Sequence, residues 1–264
     1  MCGIVAYIGF RPALPILMDG LKKMEYKGYD SSGIGLLDSG KIKTVKAVGK
    51  IKKLEEKLEK DKLEGFLGIC HTRWATHGEP TEANAHPHLS ANGKIAVVHN
   101  GIVENYALLK KRLQADGVQF VSETDTEVLA HWIAKFYEGD LSKAVLEALQ
   151  SIEGTFGIAV ICSDEPDVLI GARRGSPLLI GVGENESFLT SDVSAVVGHT
   201  KKIVHLEDND VIIIGRQNFE IKNIKNKSVN REIQEIKEDL ELAQKGDYPH
   251  FMLKEIFEQP EPTP

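Results

Sequence analysis

A cysteine stands second in the chain, behind Met1 and at the head of the apolar run Gly-Ile-Val-Ala-Tyr-Ile. If Met1 is removed, which a small second side chain permits, Cys2 becomes the terminal residue and carries its own α-amine. That amine has a pKa of about 8, so roughly a tenth of it is unprotonated at neutral pH. A thiol with a built-in base of matched pKa is an activated nucleophile toward a carbonyl and needs no separate histidine. The protonated amine can then return the proton to the leaving group. The competing reading is an incidental Met-Cys start. The strand-like run behind Cys2, which would bury and fix the terminus, favours chemistry.

An acyl-transfer nucleophile also needs donors for the developing oxyanion. In "VVHNGIVEN" the Asn100 side-chain amide and the Gly101 backbone N–H can converge on that oxygen, glycine allowing close approach. Asn-Gly is equally readable as a plain turn ending the 95–98 strand. In "HTRWATHG", Arg73 suits a bidentate clamp on a carboxylate, Trp74 an apolar lid, and Thr76 and His77 a polar lining. Surface stacking of Arg73 on Trp74 is the alternative. His71, His77, His86, His88 and His99 contain no i,i+4 ligand pair, and Cys70 is their one soft neighbour. Structural histidines are therefore favoured over zinc, and neither a metal nor another cofactor is expected. "SETDTEV" brings Glu123, Asp125 and Glu127 to a helix start. Such acids cap helices, or one facing a pocket can pair with a substrate ammonium.

These residues need elements to hold them. Periodicity predicts a strand over 2–8, a helix over 13–24, and a strand pair at 34–37 and 42–48 around Asp38-Ser39-Gly40. Ile51, Leu54 and Leu58 mark a short amphipathic helix whose lysines and glutamates form a solvated face. Strands are predicted at 67–70 and 95–98, separated by a segment without period, the kind of long loop that is usually functional. Helices follow, one on Ile102, Tyr106, Leu109 and Leu113, one on Val128, Leu129, Trp132, Ile133 and Phe136, and one on Val145, Leu146 and Leu149. Residues 154–225 read as mostly β, with "GVGEN" a hairpin turn rather than a dinucleotide loop. Residues 231–245 read as a polar helix, and the acidic, proline-rich end as a linker. Strand blocks at both ends with helices between predict an α+β fold, two sheets packed face to face and covered by helices.

A net charge of −7 argues against nucleic acid or an anionic membrane as partner. Every apolar run is too short for a membrane helix. Three cysteines, Cys2, Cys70 and Cys162, fit free thiols in a reducing cytoplasm.

Taken together, "MCGIVAYIG", "YKGYDSSGI", "HTRWATHG", "HPH", "HNGIVEN", "SETDTE", "GSPLLIG", "SDVSAVVGHT" and "DYPHFMLKEIFEQP" resemble the glutamine amidotransferases with an N-terminal cysteine nucleophile, a branch of the Ntn hydrolases. The likeness runs the length of the chain and is strongest to members that aminate fructose 6-phosphate to glucosamine 6-phosphate for amino-sugar biosynthesis. It implies a four-layer αββα sandwich with L-glutamine as substrate. It implies Cys2 as nucleophile, forming a glutamyl thioester and releasing ammonia, and Asn100 with Gly101 as oxyanion hole. Arg73, Thr76 and His77 would bind the α-carboxylate end, and Asp125 the α-ammonium. Trp74 would gate the passage of ammonia, and His86 would hold the loop. The amidotransferase domain is expected over 1–245, with 246–264 leading to sugar-isomerase domains that bind fructose 6-phosphate and are absent from this chain. The full-length relatives would be homo-oligomers. The chain is thus expected to be an excised domain that hydrolyses glutamine without making the amino sugar. Two positions depart from the family pattern. Lys27 stands where arginine is usual and Ser32 where alanine is, and lysine cannot make arginine's forked contact. The alternatives are another branch, such as purine or asparagine synthesis, and a non-catalytic glutamine-binding module that retains Met1.

Overall fold

A computed structural model describes residues 2–61, 63–75 and 78–236, together with Leu253, Ile256 and Phe257. The chain begins with β1 (Gly3–Ile8), α1 (Ala13–Lys23), β2 (Ser31–Asp38), β3 (Lys41–Val48), α2 (Ile51–Leu58), β4 (Leu67–Arg73), β5 (His88–Leu89) and β6 (Ile95–Val103). Three helices follow: α3 (Tyr106–Ala115), α4 (Asp125–Lys135) and α5 (Leu141–Leu149). The remainder is β7 (Gly154–Cys162), β8 (Leu169–Arg174), β9 (Leu179–Val182), β10 (Ser187–Thr190), β11 (Lys202–His205), β12 (Asp210–Ile214), β13 (Phe219–Asn223) and β14 (Gln234–Glu235). They form an eight-stranded sheet in the order β14-β11-β9-β10-β1-β4-β2-β3 and a six-stranded sheet in the order β13-β12-β8-β7-β6-β5. Every pairing of neighbouring strands is antiparallel.

Side-chain alternation sorts the apolar residues into three cores, and three cores between layers make four layers. On β1, Val5 and Tyr7 pack outward with Leu17 and Leu21 of α1 and Leu54 of α2. The intervening Ile4, Ala6 and Ile8 pack inward with Ala96 and Val98 of β6 and Ala159 and Ile161 of β7, joining the two sheets. The outer face of the six-stranded sheet, including Ile95, Val97 and Ile158, packs with Val128, Leu129 and Ile133 of α4 and Val145 of α5. The expected αββα sandwich is present.

Local chemistry explains the boundaries. Ser39 and Gly40 both take positive φ, 51° and 76°, giving the tight β2–β3 hairpin. Thr124 opens α4 by accepting from the Glu127 N–H, and Asp140 opens α5 by accepting from the Lys143 N–H. "GVGEN" turns between β9 and β10, with the Gly183 N–H donating to the Glu186 carbonyl.

Four expectations need correction. Asn100-Gly101 is not a turn, because β6 runs through it to Val103 with Asn100 opposite Gly157 and Gly101 opposite Phe156. Ile102 therefore belongs to that strand and is 59% exposed, and the helix starts at Tyr106. The loop after Cys70 is shorter than expected, since β4 continues to Arg73 and β5 adds a strand. Residues 231–236 contain no helix and Gln234–Glu235 pairs with β11, so the helix over 231–245 is wrong there. The rest of that helix, and the proline-rich end apart from Ile256 and Phe257, lie outside the described residues.

The two departures from family pattern have different consequences. Lys27 forms an ion pair with Asp192, a single-point contact that a lysine can supply. Ser32 is fully enclosed in β2, and its Oγ makes no hydrogen bond among the described residues. A buried hydroxyl without a partner costs about 1–3 kcal/mol. Ser32→Ala should therefore leave stability unchanged or raise it by about 1 kcal/mol in urea titration, and a clear loss would mean that the hydroxyl is engaged.

Candidate active site

The inward faces of β1, β4 and β6 are apolar along most of their length and turn polar at one end. On β4, Leu67 and Ile69 face the opposite sheet, so alternation puts His71 and Arg73 on that face. On β6, Ala96 and Val98 are followed by Asn100, and on β1 the inward register of Ile4, Ala6 and Ile8 extends back to Cys2. One cavity of about 200 Å³ collects Cys2, Arg73, Trp74, Asn100, Gly101 and Asp125 in its walls. His86 lines it as well. Thr76 and His77 lie outside the described residues.

Cys2 is half-buried, and its Sγ accepts a hydrogen bond from the Trp74 backbone N–H at 3.2 Å. Its thiol lies 3.6 Å from the Trp74 carbonyl. Burial pushes the thiol above its usual pKa, only partly offset by the Trp74 N–H and the nearby Arg73 charge. Asn100 Nδ2 donates to the Cys2 carbonyl at 3.0 Å, and Asn100 Oδ1 lies 2.9 Å from His71 Nε2. Gly101 has φ 128°, and a Cβ there would fall 2.2 Å from the Thr155 carbonyl oxygen. No side chain fits, so glycine is required at this point of the strand.

Arg73 is 5% exposed. Its guanidinium donates to the Gly78 and Glu79 carbonyls, each at 3.2 Å. Burial lowers its pKa, against the supporting fields of Cys2, Asp125 and Asp30. The Asp30 carboxylate accepts from the Ala75 N–H at 2.9 Å, and the Asp30 N–H donates to the Arg73 carbonyl at 3.1 Å. The backbone on both sides of Trp74 is thereby braced, which aims its N–H at the thiol. The Trp74 ring is 44% exposed and stands edge-on to Tyr29 at 5.6 Å.

The three acids of "SETDTEV" divide the work. Glu123 ties down the loop by accepting from Asn84 Nδ2, while its N–H donates to Asn84 Oδ1. Asp125 faces the cavity, and its Oδ2 accepts from the Val103 N–H at 2.8 Å. Glu127 is buried. The His131 ring, 3.6 Å away, together with hydrogen bonds from the Ser122 hydroxyl, the Ser122 N–H and the Val121 N–H, outweighs that burial and holds its carboxyl down at about 2.

The histidines form a packed block beneath the cavity. His71 stacks on His86 with centroids 4.2 Å apart, and His86 meets His88 edge-on at 5.0 Å. His86 Nδ1 accepts from the His99 N–H at 3.3 Å, and His88 Nε2 lies 3.0 Å from Thr124 Oγ1. Burial drives all three imidazoles toward the neutral form, His71 to about 3 and the other two well below the usual value. Among the described residues no three His, Cys, Asp or Glu side chains are grouped as a metal would need. No described helix is long and apolar enough to cross a membrane.

The sequence reading missed His71, His99, Ile102, Tyr106, Thr124 and Thr126 as wall residues. His71 was within reach, since counting alternate positions from Ile69 puts it on the inward face. Ile102 was assigned to the helix that follows, whereas it belongs to β6. Tyr106 follows at the first residue of α3.

A profile of the glutamine amidotransferase domain matches residues 71–198. The glutamine–fructose-6-phosphate aminotransferase (isomerizing) of Caldanaerobacter subterraneus subsp. tengcongensis is 48% identical over 98% of this chain, which spans 43% of that protein. Enzymes of the same name from Thermus thermophilus and Aquifex aeolicus are each 50% identical over 98% of this chain, covering 43% and 44% of their length. The chain thus spans less than half the length of these curated relatives. Among solved structures, the glutamine phosphoribosylpyrophosphate amidotransferase of B. subtilis superposes with a TM-score of 0.74 at 27% identity, over 84% of this chain and 49% of that one. A glutamine aminotransferase class-II domain protein from Silicibacter pomeroyi shares the fold, with a TM-score of 0.57 at 17% identity over 84% of this chain and 99% of that one.

The histidine block sets a pH dependence of stability. Unfolded imidazoles take up protons below about pH 6.5, whereas these folded ones remain neutral to far lower pH. As pH falls below about 6.5 the unfolded state binds more protons, and stability drops by ~1.4 kcal/mol per pH unit for each such histidine. Urea titrations at pH 7, 6 and 5 should show a progressive loss of several kcal/mol. Carboxylates held low, such as Glu127, add to the loss only below about pH 4.5. A stability unchanged to pH 5 would mean that the imidazoles are not held neutral.

Proposed function

The chain belongs to the glutamine amidotransferase family with the Ntn-hydrolase fold, and on that premise we propose that it hydrolyses the side-chain amide of L-glutamine at Cys2. The observation that carries the reading is the convergence of one half-buried thiol, the Asn100 amide and Gly101 on a single cavity, with a cation and an anion in its walls. The cavity is of a size for one small amino acid.

Burial keeps the Cys2 thiol protonated, so attack requires a base. Removal of Met1 supplies one, the α-amine of Cys2 itself, with a pKa of about 8. The thiol proton passes to this amine as the Sγ–carbon bond forms and the carbonyl electrons move onto oxygen. Asn100 Nδ2 carries a second N–H beyond the one on the Cys2 carbonyl, and with the Gly101 N–H it receives the oxyanion. The carbon–nitrogen bond then breaks, and the amine returns its proton so that ammonia leaves. Water hydrolyses the glutamyl thioester to glutamate by the same steps.

Arg73 takes the α-carboxylate, an offsetting charge for a buried guanidinium, a role in which the family resemblance also enlists Thr76 and His77. Asp125 takes the α-ammonium, its orientation set by the Val103 N–H. His86, packed between His71 and His88, supports the loop. Trp74 stands at the exposed rim with Tyr29 and gates the exit of ammonia. In a protein of the relatives' full length, that ammonia would aminate fructose 6-phosphate bound by sugar-isomerase domains.

Met1-trimmed protein, verified by intact mass, should release ammonia from glutamine. Cys2→Ala and a Met1-retained form should release none, and turnover by either would remove the terminal thiol–amine pair from the mechanism. Asn100→Ala should lower kcat by ~10²–10³-fold, the usual cost of one oxyanion donor. Asp125→Asn should act mainly on KM, and an unchanged KM would take it out of ammonium binding.

A further inference from the structure

An asparagine side chain is nearly symmetric in shape but opposite in polarity at its two ends. At an oxyanion hole this matters, because the nitrogen end stabilises the developing charge and the oxygen end repels it. Something must decide which end of Asn100 faces the reacting carbon. Two contacts bear on it. The Cys2 carbonyl accepts from Nδ2 at 3.0 Å, and His71 Nε2 stands 2.9 Å from Oδ1. The first depends on the terminal residue, the group that moves and reacts. The second joins β4 of one sheet to β6 of the other through the interior.

His71 is built to hold that contact. Its ring is 1% exposed and stacked at 22° on His86, whose own Nδ1 is fixed by the His99 N–H. His71 Nδ1 is buried and makes no hydrogen bond among the described residues. Nε2 is the ring nitrogen with an acceptor at hydrogen-bond geometry among the described residues, Asn100 Oδ1 at 2.9 Å, so the ring hydrogen belongs there. Rotating the Asn100 amide would set N–H against N–H at His71 and oxygen against oxygen at Cys2.

We infer that His71 is a positioning residue that locks the Asn100 amide with its nitrogen toward Cys2 and the cavity. This rests on the reading of Cys2 and Asn100 given above. The effect belongs to the transition state, since ground-state glutamine is held by its α-carboxylate and α-ammonium on the other walls.

In Met1-trimmed protein, His71→Leu should lower kcat for glutamine hydrolysis about 10–100-fold, part of the cost of losing an oxyanion donor, with KM within about threefold. His71→Gln places an amide N–H close to the position of Nε2 and should restore kcat to within about fivefold of the parent, as a retained donor predicts. Long-range ¹H–¹⁵N correlation on the parent should show His71 as the Nε2–H tautomer, unchanged from pH 8 to pH 5. A fast His71→Leu, a His71→Gln as slow as the leucine variant, or a loss confined to KM would each overturn the assignment. So would a Nδ1–H or titrating His71 ring, a measurement that stands even if the leucine variant does not fold. A trimmed parent that released no ammonia would sink the reading of the site, and the ring spectrum would still accept or reject this contact.

Discussion

Two sheets can pack face to face only where both inner faces are apolar, and here that contact ends before the strands do. Ile4, Ala6 and Ile8 of β1 meet Ala96 and Val98 of β6 through close-packed side chains. One alternation step further, the same faces carry Cys2, His71 and Asn100, and one step beyond His71 stands Arg73. The sheets are held by the apolar part, so the polar part inherits their spacing without contributing to the hydrophobic contact. His71 and Asn100 can form an inter-sheet hydrogen bond only because the core beside them sets the gap. Period-two geometry then determines the site, since a register slip of one residue in β1, β4 or β6 would turn its chemistry toward the helices.

The histidine block occupies the border between these regions. Four imidazoles, those of His71, His86, His88 and His99, are each under 7% exposed. Apolar residues there would bury more favourably but could not orient an amide or receive a backbone N–H. Imidazole offers a flat face for stacking and one donor and one acceptor on its edge. His86 uses the face toward His71 and the acceptor toward the His99 N–H. The arrangement sacrifices acid stability, because the neutral rings of His71, His86 and His88 are proton sites open only to the unfolded chain. In return it gives a floor whose hydrogen-bond directions are fixed.

Most of the fold was legible in the sequence because most of it follows from periodicity. Leu17 and Leu21 at helical spacing, and Ile51, Leu54 and Leu58, report faces that are in fact buried. The Asn100-Gly101 pair was open to misreading because its local signal is that of a turn. Pairing along the whole of β7, from Cys162 opposite Ile95 to Gly154 opposite Val103, overrides that preference. A nine-residue strand partner is a tertiary fact that no short window contains. The same holds for Trp74. Its ring drew attention as a lid, yet the group touching the thiol is its backbone N–H, aimed by Asp30, which holds the next residue, Ala75, from 45 positions away. The site residues were recognised as types, whereas their directions came from distant strands.

Burial of Cys2 has two opposed effects on reactivity. It raises the thiol pKa and so reduces the thiolate present at neutral pH. A more basic thiolate is intrinsically the better nucleophile. The net effect depends on whether a proton acceptor stands close enough for deprotonation and attack to be concerted. An α-amine on the same residue satisfies that whenever the side chain is gauche to it, whereas a histidine would have to be positioned by another element. The neighbouring histidines do not serve, since His71 and His86 are spent on orientation and kept neutral by burial. A single hydrogen bond from the Trp74 N–H steadies the sulfur without ionising it outright. The sulfur is thereby held ready for a proton transfer that takes place only with the attack.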